Sequence, residues 1–173
     1  GGDFAIGMKC DGSIWSWGDN TYGQIGNGTN TDISIPAQVG NDFDWVNVAV
    51  SALHVTAIKS NGTLWTWGDN SFAQLGNGTF VSATLPAQVG SDNKWMHISS
   101  QGDYHNIAIK VDGTLFTWGN NSSGELGDGT QVFKTSPTLI GSNVNWVNCV
   151  AGQNFSVAIK SDRMMYCATG LND

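Results

Sequence analysis

The residue types that most often carry out acid–base or nucleophilic chemistry are sparse in this sequence. His54 and His105 occupy the same position in an internal repeat, and we expect both to be hydrogen-bonded core residues rather than catalytic bases. The carboxylates are mostly predicted to lie in turns, as Asp11, Asp19, Asp69, Asp112 and Asp128 do. Such side chains accept hydrogen bonds from nearby backbone N–H groups. No nucleophile, base and orienting residue converge by spacing, so we expect neither enzyme activity nor a cofactor.

The cysteines do not have the close spacing of a metal site. Cys149 stands in the repeat column of Val48 and Ile98, which predicts a small buried apolar residue. Cys10 and Cys167 lie in repeats that are not adjacent along the chain, which argues against a disulfide between them and leaves pairing between chains open. No turn carries the alternating oxygen ligands of a calcium loop. We therefore expect no metal site.

A repeat of 50 or 51 residues supplies the elements that position these side chains. The phrase WSWGDN at 15–20 recurs as WTWGDN at 65–70 and FTWGNN at 116–121. The copies run over 1–50, 51–101 and 102–151, with a partial copy at 151–173. In that partial copy Ala168 replaces a tryptophan and Arg163 a turn glycine, a kind of divergence that is common in terminal repeats. Self-similarity at such a period is typical of propellers and solenoids.

Hydrophobic residues alternate with period two inside each copy, which predicts β-strands. One set of predicted strands lies at 45–50, 54–59, 64–67 and near 84–89. Pro86 has no N–H to donate, so we expect it near a strand end or at a sheet edge. The pair Asn61-Gly62 predicts a two-residue hairpin in which both residues have positive φ. Four antiparallel strands per copy describe one blade of an all-β propeller.

Aromatic residues fall into two groups. Trp17, Trp67 and Trp118 share one column and are predicted to be core, because each tryptophan can bury roughly 150–250 Å². Aromatics that differ between copies are instead the candidate binding residues, namely Tyr22, Phe43, Phe72, Phe80, Tyr104 and Phe133. An aromatic on a loop exposes area that folding does not require, and such residues often anchor interfaces. The alternative is that each covers the hydrophobic end of its blade.

The segments WGDNSFAQLGNGT at 67–79 and HNIAIKVDGTL at 105–115 resemble the repeat of the regulator of chromosome condensation family, and the resemblance covers essentially the whole chain. It implies a seven-bladed β-propeller of four-stranded antiparallel blades, with loops on two faces that bind proteins. The chain supplies about three and a half such repeats. Either it is a piece of a longer polypeptide, or other copies close the ring, or the arc stays open.

Composition bounds the setting of the protein. The formal net charge is −7 and only 12% of the residues are charged, so the surface repels phosphate backbones and we expect no nucleic-acid partner. The sequence contains no apolar run of about 18 residues, so no membrane span is predicted. The repeat punctuation, including PAQVG at 86–90, resembles that of bacterial secreted and surface proteins. That resemblance favours an extracellular or cell-surface location.

Three functions remain open. The leading prediction is a non-enzymatic binding or structural module that holds a protein or a glycan through its variable loops. The second is an enzyme inhibitor that resembles the propeller-type β-lactamase inhibitory protein. The third is a self-assembling subunit of a ring or filament, because the first blade lacks the strand that Trp45, Trp95 and Trp146 begin in the later blades, and unpaired edges invite association.

Overall fold

The computed structural model describes residues 2–102 and 104–169, which form four antiparallel β-sheets. Two central sheets have four strands and the two outer sheets have three. These fourteen strands amount to three and a half propeller blades, which confirms the all-β propeller prediction. Among the described residues, no helix has the length and apolar character needed to cross a membrane.

Each blade is a meander in which neighbouring strands follow one another in the chain. Blade one contains β1 (Phe4–Met8), β2 (Ile14–Gly18) and β3 (Ile33–Gln38). Blade two contains β4 (Trp45–Val50), β5 (His54–Lys59), β6 (Leu64–Gly68) and β7 (Ala83–Gln88). Blade three contains β8 (Trp95–Ser99), β9 (His105–Lys110), β10 (Leu115–Gly119) and β11 (Lys134–Leu139). Blade four contains β12 (Trp146–Ala151), β13 (Phe155–Lys160) and β14 (Met165–Thr169).

The edge position expected for Pro86 is confirmed, and the other two prolines share it. Pro36, Pro86 and Pro137 fall in β3, β7 and β11, and each of these strands forms the edge of its sheet. A residue without an N–H can be accommodated there because one side of an edge strand has no ladder to complete. The meander therefore ends at the proline-bearing strand in each of the first three blades.

The hairpin turns differ from the prediction of two residues with positive φ. Gly62 has a φ of 80°, but the φ of Asn61 is not positive. The turn is closed by a 2.8 Å hydrogen bond from Gly62 N to Lys59 O, and the side chain of Asn61 accepts one from Thr63 N. A single left-handed glycine after an ordinary turn thus suffices, with the asparagine satisfying the next amide. In blade four Arg163 has to adopt a φ of 68° at the glycine position, which strains that turn.

The core lies between blades rather than within one of them. At the first boundary, Ile14, Ile25 and Val39 of blade one pack against Trp45 and Trp67 of blade two. One repeat column holds only small residues in these blades, Ala57, Ala108 and Ala158, and all three are buried in the core. Each blade is therefore stabilised mainly by contact with its neighbours, as expected for a repeat architecture.

The tryptophan column confirms the core prediction in blades two and three and corrects it in blade one. Trp67 and Trp118 are fully buried, and their Nε1 atoms each donate a 3.0 Å hydrogen bond to the preceding blade, at Gln24 O and Gln74 O. Trp17 is only half-buried. Its face of the sheet has no preceding blade within this chain to pack against.

A column of lysines contacts the half-buried aromatics that precede the core tryptophans by two residues, on the same face of each sheet. The Nζ of Lys59 lies 4.8 Å from the ring centroid of Trp45 and 4.7 Å from that of Trp65. The same ammonium forms ion pairs with the carboxylates of Asp42 and Asp44, at N···O distances of 2.8 and 3.2 Å. Burial lowers the pKa of Lys59, but these carboxylates outweigh it and raise the pKa above its usual value. The arrangement is structural, because the cation and both rings satisfy one another.

Candidate functional site

Strand connections alternate between the two faces of the propeller because consecutive strands are antiparallel. One face carries the long loops at 19–32, 69–82 and 120–133 together with the β4–β5 and β8–β9 connections. We call it the loop face. The opposite face carries the tight hairpin turns and the connections from one blade to the next, such as 39–44.

Each long loop is held by one buried asparagine, at Asn20, Asn70 and Asn121. In blade two the Oδ1 of Asn70 accepts a 2.9 Å hydrogen bond from Leu75 N. Its Nδ2 donates to the carbonyls of Thr79 and Val81 at 2.9 and 3.1 Å. One side chain thereby fixes both arms of the loop, so residues that project from it are presented on a rigid support.

A second side-chain pair shapes the tip of the loop that carries Phe72. Gln74 Nε2 donates a 2.7 Å hydrogen bond to Asp69 Oδ2, and Gln74 Oε1 accepts a 2.8 Å bond from Phe72 N. Both polar side chains are buried. The backbone at Phe72 is consequently fixed before any partner arrives.

The structure brings three of the predicted aromatic residues together. The ring centroid of Phe72 lies 4.5 Å from that of Tyr104 and 5.9 Å from that of Phe133. These rings come from three different connections and meet across the boundary between blades two and three. All three side chains are half-buried, so each contributes to a shared surface while resting on its neighbours. We call Phe72, Tyr104 and Phe133 the aromatic cluster.

No other boundary in the described residues carries three aromatics at these positions. Between blades one and two the equivalent residues are Tyr22, Leu53 and Ser82. At the boundary between blades three and four, Ser123 and Asn154 take the places of Phe72 and Tyr104. Because the scaffold repeats while this set does not, the blade architecture does not require the aromatic cluster.

The other predicted binding residues lie apart from the cluster. Tyr22 and Phe80 belong to the loop face and are 39% and 55% exposed. Phe43 is 58% exposed but lies in the connection to Trp45 on the opposite face, where Trp45 N donates to Gly12 O. Phe43 and the aromatic cluster therefore cannot contact one partner surface at once. Whether any of these six residues binds a partner stays a prediction.

Sequence reasoning missed two exposed valines of the loop face. Val81 and Val132 occupy equivalent positions in the second and third blades, where blade one has Thr31. Their carbonyls accept the hydrogen bonds of Asn70 and Asn121, and their side chains are exposed. Valine is usually read as a strand residue. The signal available was its position inside a loop that glycine and asparagine otherwise dominate.

The histidines have the structural role that the sequence predicts. His54 and His105 are fully buried, and each contacts the following blade, His54 Nε2 at Asn106 Oδ1 and His105 Nε2 at Ser156 Oγ, both at 3.0 Å. Burial, with a smaller contribution from His54, lowers the pKa of His105 to about 4. A neutral, enclosed imidazole of this kind joins blades rather than exchanging protons with a substrate.

The remaining ionisable groups are engaged in local structure. Burial raises the pKa of Asp128, but hydrogen bonds from Lys134, Thr130 and Asn121 outweigh it and lower the pKa to about 2. Cys149 is buried, as predicted, and burial raises the pKa of its thiol to about 12. Cys10 and Cys167 are exposed and free. Within 2–102 and 104–169, no group of three or more His, Cys, Asp or Glu side chains is arranged to hold a metal.

The chain is similar to a short stretch of much longer curated proteins. It is 32% identical over 149 residues to the human E3 ubiquitin-protein ligase HERC2, which corresponds to 82% of this chain and 3% of HERC2. The chain thus spans only a small fraction of that relative. HERC2 of mouse matches to the same extent. These mammalian relatives do not support the bacterial, extracellular subtype that the repeat punctuation suggested.

Solved structures with the same fold are propellers about twice as long as this chain. Human WBSCR16 superposes with a TM-score of 0.83 at 18% identity, over 95% of this chain and 44% of that one. Prp20p of Saccharomyces cerevisiae, whose structure was described together with its binding to Gsp1p and histones, gives a TM-score of 0.81 at 20% identity, over 100% and 43%. The Regulator of chromosome condensation (RCC1) repeat matches residues 11–58, 61–109 and 112–159, so the chain belongs to that repeat family.

Proposed function

We propose that this chain is a non-enzymatic, protein-binding segment of a β-propeller that contacts its partner through the aromatic cluster on the loop face. The observation that supports this most directly is the meeting of Phe72, Tyr104 and Phe133 at a single blade boundary. Partly exposed aromatic side chains on rigid loops supply large contact area at low entropic cost, which is typical of interface anchors.

The chemistry of the loop face favours a protein over a glycan. The same loops that carry Phe72 and Phe133 also expose apolar residues at Phe80, Val81 and Val132, and a protein partner can bury exposed apolar surface of this kind. The net charge of −7 favours a partner with basic residues around the contact. The binding of Gsp1p and histones described for yeast Prp20p supports a protein-binding role for the fold. Glycan binding remains the alternative.

Location is part of the proposal. We propose an extracellular or cell-surface protein, on the resemblance of its repeat punctuation to secreted proteins. Protease treatment of intact cells tests it: an epitope-tagged, full-length protein at the surface is cleaved without permeabilisation. Cleavage only after permeabilisation would place the protein inside the cell and would remove this part of the proposal without affecting the binding site.

The binding proposal is tested by comparing three forms of the chain as bait. One form is the wild type, one carries Phe72→Ala, Tyr104→Ala and Phe133→Ala, and the control carries Phe43→Ala on the opposite face. Proteins captured by the wild type and the control, but lost from the triple variant, are the expected partners. A purified partner should then bind each single variant more weakly by about 1–3 kcal/mol.

Two outcomes would contradict the proposal. Capture of the same partners by the triple variant would remove the aromatic cluster from the interface. A large fall in melting temperature with unchanged affinity would assign the three rings to closing the blade ends instead. Phe72→Ala alone, measured for both stability and affinity, separates these two roles because the rest of its loop stays held by Asn70.

Self-association is a second candidate, supported by a specific observation at blade one. Trp17 occupies the column of Trp67 and Trp118, yet it is only half-buried. The face that carries Trp17 fits the loop side of another blade, whether that blade comes from the same polypeptide or a second one. No structural observation on the described residues supports the enzyme-inhibitor alternative, which stays a prediction. Titration of a β-lactamase with the chain tests it, since an inhibitor would block the enzyme stoichiometrically.

A further inference from the structure

The β14 strand places Ala168 where blades two and three have tryptophan. Ala168 pairs with Ser156 in the antiparallel ladder of blade four, just as Trp118 pairs with Asn106 in blade three. Trp67 has the same register in blade two. The substitution therefore removes an indole from a defined position between blades three and four.

The space that this indole would fill is specified by the other two boundaries. Trp67 donates through Nε1 to Gln24 O at 3.0 Å. A Cβ atom on Gly26 would lie 2.8 Å from that Nε1, and one on Gly76 would lie 2.7 Å from the ring of Trp118. Each indole thus contacts a glycine of the preceding loop closely, and its N–H donates to a main-chain carbonyl.

At the third boundary the structure has a cavity of about 200 Å³. Its lining includes Leu115, Leu126, Ile140, Trp146 and Ala158. These residues stand in the same repeat columns as Ile14, Ile25, Val39, Trp45 and Ala57, which pack around Trp67. The wall next to Ala168 is formed by Gly127, the counterpart of Gly26 and Gly76. The cavity is accordingly the space of a missing indole, with the surrounding residues retained.

Polar groups near the cavity are mostly engaged already. Thr117 Oγ1 donates to Leu126 O at 2.9 Å, and Ser156 Oγ pairs with His105 Nε2 at 3.0 Å. The carbonyl of Glu125 stands in the column of the two glutamine carbonyls that accept indole N–H groups. Ala168 has no side-chain donor for it. An occupant that restores the pattern of the other boundaries needs an apolar body and a single N–H.

We propose that the cavity between blades three and four binds a flat, bicyclic aromatic small molecule with one N–H donor, of the indole class. Apolar cavities of about 150 Å³ stay dry and bind benzene, so the volume here is sufficient for a larger ring system. Trp146 provides the aromatic contact, since its counterpart Trp45 lies 6.1 Å from Trp67 between ring centroids. This site is separate from the aromatic cluster and does not depend on it.

Calorimetric titration of the full chain with indole and with 1-methylindole tests the proposal. Indole should bind with a stoichiometry of one. The methylated compound has the same ring but no N–H, so it should bind about three- to tenfold more weakly, as expected for one lost hydrogen bond. Ala168→Trp should abolish indole binding and raise the melting temperature, because the side chain then fills the cavity itself.

Two further variants keep the result interpretable. Ala168→Phe fills part of the space and should weaken indole binding even if Ala168→Trp does not fold. Met164→Ala changes an exposed side chain outside the cavity and should bind indole as the wild type does. Absence of saturable indole binding to the wild type would overturn the proposal, as would equal affinities of the wild type and either filled variant. Equal affinities for indole and 1-methylindole would overturn the N–H requirement.

Discussion

Asn120 donates a side-chain hydrogen bond to the carboxylate of Glu125, whereas in blade two the carboxylate of Asp69 accepts one from Gln74. Asn120 corresponds to Asp69 and Glu125 to Gln74, so the amide and the carboxylate have exchanged positions while the hydrogen bond is kept. Either order places one amide against one carboxylate in a buried site. Since all four side chains are buried, an unmatched pair would leave polar groups without partners at high cost.

The exchange predicts that Asn120→Asp destabilises the protein. The substitution sets a second carboxylate against the buried Glu125 and removes the donated hydrogen bond. We expect the free energy of unfolding at pH 7 to fall by roughly 3–5 kcal/mol, the usual effect of leaving a buried charge uncompensated. Urea denaturation measures it, and an unfolding free energy within about 1 kcal/mol of the wild type would contradict the assignment.

Adding Glu125→Gln to that variant should restore stability. The double variant recreates the Asp–Gln pair that blade two already has at Asp69 and Gln74, so the unfolding free energy should return to within about 1 kcal/mol of the wild type. Glu125→Gln alone should also be destabilised, because its amide replaces one of the two oxygens that accept from Asn120 and from Ser123 N, so the double variant should be more stable than either single one. A double variant no more stable than Asn120→Asp would show that the two residues are not coupled.

Asn70 is predicted to hold the loop that carries Phe72. Asn70→Ala removes the bonds to Leu75 N, Thr79 O and Val81 O and leaves these backbone groups to find other partners. We expect a loss of about 2–4 kcal/mol together with faster hydrogen–deuterium exchange confined to 69–82. Asn93→Ala, an exposed change on the opposite face, is the control. Unchanged exchange in 69–82 would mean that the loop is held by other contacts.

The repeat columns predicted more of the scaffold than of the site. Period-two alternation placed the strands of blade two within a few residues, and Pro86 correctly indicated an edge. The turn at Asn61 was wrong because Asn-Gly pairs do not specify by themselves which residues take positive φ. Trp17 was predicted to be core because it shares a column with Trp67 and Trp118. The prediction was wrong because a repeat column does not show whether a neighbouring blade covers the residue.

The candidate site depended on three-dimensional proximity that a column cannot contain. Phe72, Tyr104 and Phe133 belong to three separate connections, and only the packing of blade two on blade three brings them together. Counting strands along the chain would have shown that Phe43 lies on the face opposite the other candidate aromatics, because the β3–β4 connection lies at the other end of the sheet. Ala168 was visible as a divergence, but the resulting cavity follows from the neighbouring blade keeping its shape.

The free energy of unfolding should decrease as the pH is lowered from 6.5 to 4, because the unfolded chain protonates His105 in this range and the folded protein does not. Its pKa is about 4 in the folded protein against 6.5 without burial, so between these values the unfolded chain binds more protons. The contribution is therefore complete above pH 6.5 and is lost as the pH falls towards 4, by roughly 3 kcal/mol in total. Urea titrations across that range measure the slope, and His105→Gln should flatten it.

Asp128 provides the matched control for that pH dependence. Its pKa is lowered from 3.8 to about 2, so its contribution is present above pH 3.8 and lost below. Asp128→Asn should leave the slope between pH 4 and 6.5 unchanged. A slope in that window that survives His105→Gln would assign it to another group.

Trp17 gives the last prediction, which concerns association of the 173-residue polypeptide. The tryptophans in its column donate to the loop of the preceding blade, and both are fully buried. Half-buried in blade one, Trp17 presents an apolar sheet face to solvent, and exposed faces and edges of this kind favour pairing with another chain. Light scattering at micromolar concentration should therefore give a mass above that of one chain. Trp17→Gln should reduce the mass towards the monomer, whereas Phe43→Gln, in the exposed connection between blades one and two, should not. A monodisperse monomer that unfolds cooperatively would show that this face is stable in water without a partner.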